Sequence, residues 1–404
     1  MKTLLNICQN YSENWGFKFS ATKSEILKFG SHNTSFDQNL TMYGVEIPVV
    51  TSTKHVGIII NSSFNSMDRT LNACRTLRST CLSAMKSGIH PSMLNPLTCL
   101  KIIIQMCYPK AFFGCELWND LTLTEITLLE RSHKYICKTI QGLPVRTRSD
   151  KCTSLLGMLP VECYIDKLKL QFFGRICRMD NKLLPKRIFL VRLLEFRNNC
   201  SQKQGGFVPD LIRILMKYNL LNFVHDFINT GYFPSKALWN RHVFSNILCT
   251  EELKWHNRMQ VDSDFNVFRK IHKHIVPHRA WYIGKLNPHL RESAKYVVDL
   301  CALIRTEQSA LLCDKCGQFF TNIVEHILCS CDTVLNLRDK LWEDIININP
   351  IEFSVYLDSL PSDELTQTLL SCDTVYDLDD DDRKYFSKIC VTYVAKMCKM
   401  FYKQ

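Results

Sequence analysis

The stretch 67-MDRTLNACRTLRSTCLSAMKSG-88 repeats its apolar residues three and four positions apart and ends on a glycine. That period lays one apolar stripe along an α-helix, and a terminal glycine supplies the left-handed C-cap. The stretch 123-LTEITLLERSHKYICKTIQGL-143 reads the same way, with Gly142 as its stop. Between residues 66 and 180, Pro91, Pro96, Pro109, Pro144 and Pro160 divide the chain into an expected five or six helices. The fold class that follows is mainly α.

Outward toward the N-terminus the period changes. One helix, Thr3 to Trp15, precedes KFSATKSEILKFG (18–30), where short apolar–polar alternation flanks a polar turn over Ser20 to Lys23. Met42–Ile47 and Val56–Ile60 are further strand-like runs, the second rich in β-branched residues. Residues 1–65 therefore read as a small antiparallel β unit, too slight to stand alone. Toward the C-terminus, residues 66–198 form the first helical region. A polar link, 199-NCSQKQGGFVP-209, opens a second one over 199–303, which ends in the basic, aromatic stretch 269-RKIHKHIVPHRAWYIGK-285. A Cys/His segment occupies 304–345. An acidic linker and one helix, Tyr385–Tyr402, complete 346–404. Asp379 to Asp382 reads as the acidic first turn of that helix, where negative charge suits the dipole.

The chain has 404 residues, 46% hydrophobic and 22% charged, the balance of a folded protein of two or three domains. Its net charge is +11. Ten acidic and six basic residues fall from Ile351 onward, so the preceding chain carries +15, an excess suited to a polyanionic partner. Twenty cysteines in a chain this long, with an N-terminal apolar run too short for a signal peptide, point to reduced thiols inside the cell. The apolar stretch 97–114 is interrupted by Lys101, Pro109 and Lys110 and does not read as a membrane span.

The segment 313-CDKCGQFFTNIVEHILCSC-331 carries the clearest chemistry. Cys313 and Cys316, two residues apart and followed by Gly317, make the turn that lets two thiolates share one ion. His326 follows in an apolar helical run, and Cys331 lies just beyond its end. This spacing suits a closed tetrahedral Cys₃His site for Zn²⁺, a structural knuckle with no position left for water. Cys329 is the rival fourth ligand. Cys331 is preferred, because Cys329 sits one turn after His326 on the apolar face.

Four segments together resemble the C-terminal part of a non-LTR, LINE-type retrotransposon reverse transcriptase. WGFKFSATKSEILKF (15–29) is similar to the turn that follows the catalytic palm strand in that family, and KHVGI (54–58) to the motif after it. PKAFFGCELW (109–118) resembles a motif of the helical thumb-like region, and the Cys/His segment resembles the family's knuckle. Ser20 stands where the family has Asn, and His55-Val56 where it has Tyr-Leu.

The resemblance implies a palm edge at 1–65, a helical thumb-like region, a basic connector and a zinc knuckle. It also implies that the paired aspartates holding Mg²⁺ precede Met1, so that this chain alone binds RNA or DNA without polymerising, and it implies a nuclear setting. Lys23 matches a lysine near the incoming nucleotide's phosphates. Candidate nucleic-acid contacts are Lys23, Arg269, Lys270, Lys273, Arg279 and Lys315, with Trp281 as a stacking aromatic. The alternative is an ordinary solvated helix face with Trp281 in the core, and a solvated turn lysine at Lys23. Two other readings stand beside this one. A domesticated zinc-knuckle binding module needs no polymerase. A restriction-like endonuclease tail would draw on Asp363 with Asp382-Arg383-Lys384, although ELTQTLLSC between them reads as helix. His272, His274 and His278 are candidates for a second metal site.

Overall fold

The computed structural model describes residues 1–29, 40–62, 66–199, 205–304 and 310–402. Helix α1 (Lys2–Asn14) leads into six short strands: β1 (Ile26–Leu27), β2 (Thr41–Met42), β3 (Val45–Glu46), β4 (Val49–Val50), β5 (Ser52–His55) and β6 (Ile58–Asn61). Strands β2 and β3 pair antiparallel, as do β5 and β6. The expected all-antiparallel unit is corrected at β1, which pairs parallel with β4, Ile26 opposite Val49. A crossover joins those two strands rather than a tight turn, as parallel pairing requires. Met42–Ile47 is not one strand either. Tyr43 and Gly44 take φ of 52° and 77°, and Val56 and Gly57 take 48° and 83°. Both pairs make the doubly left-handed turn whose twist matches a two-residue hairpin. The small core of this unit is Ala21, Met42 and Ile47, packed by Leu5, Ile26 and Tyr43.

Five helices then fill 66–180, within the expected number: α2 (Met67–Lys86), α3 (Pro96–Ala111), α4 (Leu123–Gln141), α5 (Ser149–Leu155) and α6 (Val161–Arg178). Local chemistry sets their ends. Asn95 accepts from the Leu97 amide at 2.9 Å ahead of Pro96. Thr122 and Glu125 form a reciprocal capping box at the start of α4, and Gly142 closes it at φ 65°. There follow α7 (Leu184–Asn199), α8 (Phe207–Lys217), α9 (Asn222–Thr230), α10 (Lys236–Val261), α11 (Phe268–Ile271), α12 (Arg279–Leu286) and α13 (Arg291–Leu303). Part of the expected polar link, 200–204, lies outside the described residues, and α8 already begins at Phe207.

The C-terminal part holds the hairpin β7 (Leu311–Leu312) and β8 (Phe319–Phe320), then α14 (Ile323–Glu325), α15 (Leu335–Ile346), α16 (Glu352–Asp358), α17 (Ser362–Ser371) and α18 (Asp380–Tyr402). Helix α18 starts five residues before the expected Tyr385. The Asp379 carboxylate accepts from the amides of Asp381 and Asp382 at 3.0 and 2.8 Å and caps it.

Two hydrophobic cores divide the helices. The larger draws on α2–α5, α12, α13, the Cys/His segment and α15–α18. The smaller spans Cys163 to Ile247, and so gathers residues from both sides of residue 199. Helix α10 serves both. Its buried residues Trp239, Val243, Ile247, Glu251, Trp255 and Met259 recur every fourth position. At 3.6 residues per turn that stripe drifts about 40° per step. It winds from the smaller core at Trp239 to the larger at Met259. No described helix is long and apolar enough to cross a membrane.

The N-terminal unit touches the helices where two glycines allow it. A Cβ on Gly57 would lie 3.1 Å from the Phe113 ring, and one on Gly114 would lie 3.0 Å from the Ile58 side chain. The hairpin of KHVGI therefore rests on the turn of PKAFFGCELW.

Candidate metal centre and basic cleft

Cys313 follows β7, and its amide donates to Gln318 O at 2.9 Å, while the Gly317 amide donates back to Cys313 O at 2.9 Å. Gly317 at φ 74° closes this turn, which a side chain would strain. His326 begins a π turn, His326–Ser330, that ends at Cys331, whose amide donates to His326 O at 2.7 Å. Arg338 from α15 donates to Leu328 O at 3.0 Å and Cys331 O at 2.7 Å, satisfying the carbonyls this turn leaves open. The Phe320 ring stacks on His326 at 5.1 Å.

The structure brings Cys313, Cys316, His326 and Cys331 together: one ligand atom from each lies within 4.8 Å of all the others. His326 Nε2 faces Cys316 Sγ at 3.3 Å. Three sulfurs and one imidazole nitrogen, with no carboxylate, form a donor set that fits Zn²⁺, whose bonds of about 2.3 Å to sulfur and 2.0 Å to nitrogen require such spacing. This group can hold a metal ion. Burial works against the Cys313 thiolate, but hydrogen bonds from the backbone of Cys316 and Lys315 hold its pKa below the ordinary value. Burial and the nearby Arg338 lower the His326 pKa and favour the neutral, ligating imidazole. Cys329 turns away. Its thiol donates to Ser362 O at 3.6 Å and meets Thr366 Oγ1 at 3.4 Å, and burial raises its pKa.

Among the described residues this is the one group of three or more ligand-type side chains so arranged, and the second metal site does not form. His272 Nε2 binds Ser154 O at 3.0 Å, His278 Nδ1 accepts from the Ala280 amide at 3.2 Å, and His274 is exposed 3.6 Å from Glu252. Burial lowers the His272 pKa to about 4 and that of His278 to about 3. Both are neutral core residues.

Arg269, Lys270, Lys273 and Arg279 all line one cleft of about 810 Å³. Its far wall comes from α16, α17 and the turn after them, and includes Glu364 and Asp373. Lys270 lies 3.7 Å from Asp363, and Arg279 donates to Ser387 Oγ at 3.3 Å. Trp281 is corrected: it is 0% exposed, packed in the larger core with Ala280 and Ile283, and offers no face to a base. Tyr282, one residue on, is 45% exposed and lines the cleft. The 100° step between helix neighbours carries that signal, since Trp281 inward turns Tyr282 outward. Lys315 is corrected too. Its ammonium binds Phe401 O and sits 5.0 Å over the Phe401 ring, so it caps α18 instead of facing a ligand. Lys23 is exposed on a 3₁₀ turn, Ala21–Lys23, far along the chain from this cleft.

Asp363 and Asp382 both sit in first turns of helices, α17 and α18, and Lys384 pairs with Asp381 at 2.9 Å. Among the described residues no strand presents them side by side, as the endonuclease reading needs. Set against family models, curated proteins and solved structures, the chain matches none of them.

Proposed function

We propose that the chain is the C-terminal region of a LINE-type reverse transcriptase, that its Cys₃His group carries a structural Zn²⁺, and that it binds RNA or single-stranded DNA in the cleft beside α12. The observation that carries the binding role is the convergence of Arg269, Lys270, Lys273 and Arg279 on that cleft, with Tyr282 on the same wall. Four cations meet backbone phosphates, and an exposed tyrosine stacks on a base whatever its identity. The family assignment rests on the order of the four sequence segments. The contact of Gly57 with Phe113 and of Ile58 with Gly114 supports it, because two of those segments pack as one unit.

In this proposal the chain's own part is to grip and orient a strand. The zinc closes the 313–331 segment, and through Lys315 and the shared core it fixes α18 and the wall of the cleft. The carboxylates of that wall limit how deeply a phosphate enters, so binding is shallow and depends on salt.

The test is a salt titration of affinity for single-stranded RNA. Log affinity falls linearly with log salt, and Lys270→Glu with Lys273→Glu flattens the slope by about 0.7 for each phosphate no longer neutralised. Absence of binding at low salt, or a slope indifferent to both substitutions, defeats the proposal.

A further inference from the structure

A second cavity, between α6 and the first turns of α10, differs in kind from the basic cleft. It measures about 530 Å³ and is lined by Gln171, Arg175, Arg178, Met179, Lys236 and Asn240. Gln171, Arg175 and Arg178 recur four and three apart and share a face of α6. Lys236 and Asn240, four apart, share a face of α10. Among the described residues, the lining contains no carboxylate. The Arg178 guanidinium donates to Pro234 O at 3.1 Å and lies over the Phe233 ring at 5.7 Å, and Arg175 lies over Phe172 at 5.6 Å. Among the described residues these contacts leave most of both donor forks without a hydrogen-bond partner.

Close packing of α6 on α10 fixes the two walls relative to each other. Gly174 backs onto Trp239 so closely that a Cβ there would meet the indole at 2.4 Å, and Trp239 Nε1 donates to Leu170 O at 2.8 Å. Arg175 and Arg178 suit the C-terminal end of α6. Lys236 does not suit its place, because a cation in the first turn of a helix opposes the dipole and α10 has no acidic residue there to balance it. Three cations on fixed walls repel one another until an anion enters.

We propose that this cavity is a phosphate-binding site. A tetrahedral phosphate accepts from the two arginine forks and Lys236, while the carboxamides of Gln171 and Asn240 donate to its remaining oxygens. The phosphate belongs either to a nucleic-acid strand or to a free polyphosphate compound. The site stands independently of the basic cleft, whose far wall is acidic.

The experiment titrates inorganic tripolyphosphate into the full chain by calorimetry at low salt. One site per chain is expected. Arg175→Gln and Lys236→Gln, both at exposed positions, each weaken it about tenfold. Lys270→Gln with Lys273→Gln leaves it unchanged. Circular dichroism of the single variants verifies folding, and Asn240→Ala, which removes no charge, gives a smaller loss. No binding, or binding indifferent to Arg175 and Lys236, overturns the site, as does equal sensitivity to Lys270 and Lys273. The same variants are then titrated with oligouridylate. A parallel loss and a flatter salt slope assign the phosphate to a strand; unchanged oligouridylate binding assigns it to a free polyphosphate.

Discussion

Strands β2 and β3 near the N-terminus and β7 and β8 beside the Cys/His group are locally the same object, two residues paired antiparallel with two. What surrounds them differs. Around β2 and β3 the buried apolar residues are Ala21, Leu40, Met42 and Ile47, while Trp15 is 71% exposed and Phe17 and Phe19 are also exposed. Around β7 and β8, Cys313, Val324, Ile327, Leu328 and Cys331 belong to the larger helical core. A hairpin this short has no stability of its own, so the second one is ordered by what grips it: the Cys/His group, Arg338 on its carbonyls, and α18 against Lys315. The first is gripped by α1, where the Tyr43 amide donates to Gln9 Oε1 at 3.0 Å, while the β5–β6 hairpin beside it rests on the Phe113–Gly114 turn.

The strongest way to break the comparison is to remove the proposed Zn²⁺. Binding at a site of this type contributes on the order of 10 kcal/mol to folding the segment that carries it. Chelation, or Cys331→Ser, is expected to release one zinc per chain and to expose 311–331 and the end of α18 to hydrogen exchange. The β2–β3 unit keeps its own exchange rates unchanged. Cys329→Ser keeps the zinc. Metal analysis and exchange mass spectrometry read both, and full zinc content in Cys331→Ser removes that residue from the ligand set.

Acid separates the two regions next. His133, His272 and His278 are all held neutral by burial, at about 4, 4 and 3. Their folded pKa values lie below the unfolded value near 6.5, so an unfolded chain binds protons first as pH falls. The stability they allow is complete above about pH 6.5 and is lost toward pH 4 and 3. All three lie in the helical part, so its urea midpoint falls over that window. His278→Asn retains an acceptor for the Ala280 amide but no titration, and is expected to reduce the slope by roughly 1.4 kcal/mol per pH unit. An unchanged slope would mean that His278 is not protonated on unfolding.

Much of the helical frame is legible in the sequence, because a 3.6-residue period and caps such as Thr122–Glu125 are local signals. The four side chains of the Cys/His group are legible for a related reason: they fall within one short segment, and only a turn is needed to bring them together. Cys331 over Cys329 depends on where one helix ends, and the π turn at His326–Ser330 sets that end. The N-terminal hairpins are less legible. Their turns use Tyr43-Gly44 and Val56-Gly57 in place of the usual Asn-Gly, so only the glycine announces them. Trp281 misleads because aromatic content within a basic run does not say which face is inward. The cavity at Arg175, Arg178 and Lys236 joins helices distant in sequence, and the close packing that sets its walls, Gly174 on Trp239, has no local signature.

The finest test concerns the seam between the two regions. Gly114 sits at φ 74°, and a Cβ there would press on Ile58 at 3.0 Å. Gly114→Ala therefore carries a left-handed backbone cost of about 1 to 2 kcal/mol and pushes the β5–β6 hairpin off its support. If the N-terminal unit is held by this seam, residues 1–62 become the first cleaved in limited proteolysis, while the zinc content and the urea midpoint of the helical part change little. Ile58→Ala relieves the crowding at the same seam and should recover part of the protection in the double variant. A fall in zinc content, or unfolding of the helices together with the hairpin, would show the two regions to be one cooperative unit. The close approach at Gly57 and Gly114 would then be a poor measure of how they are joined.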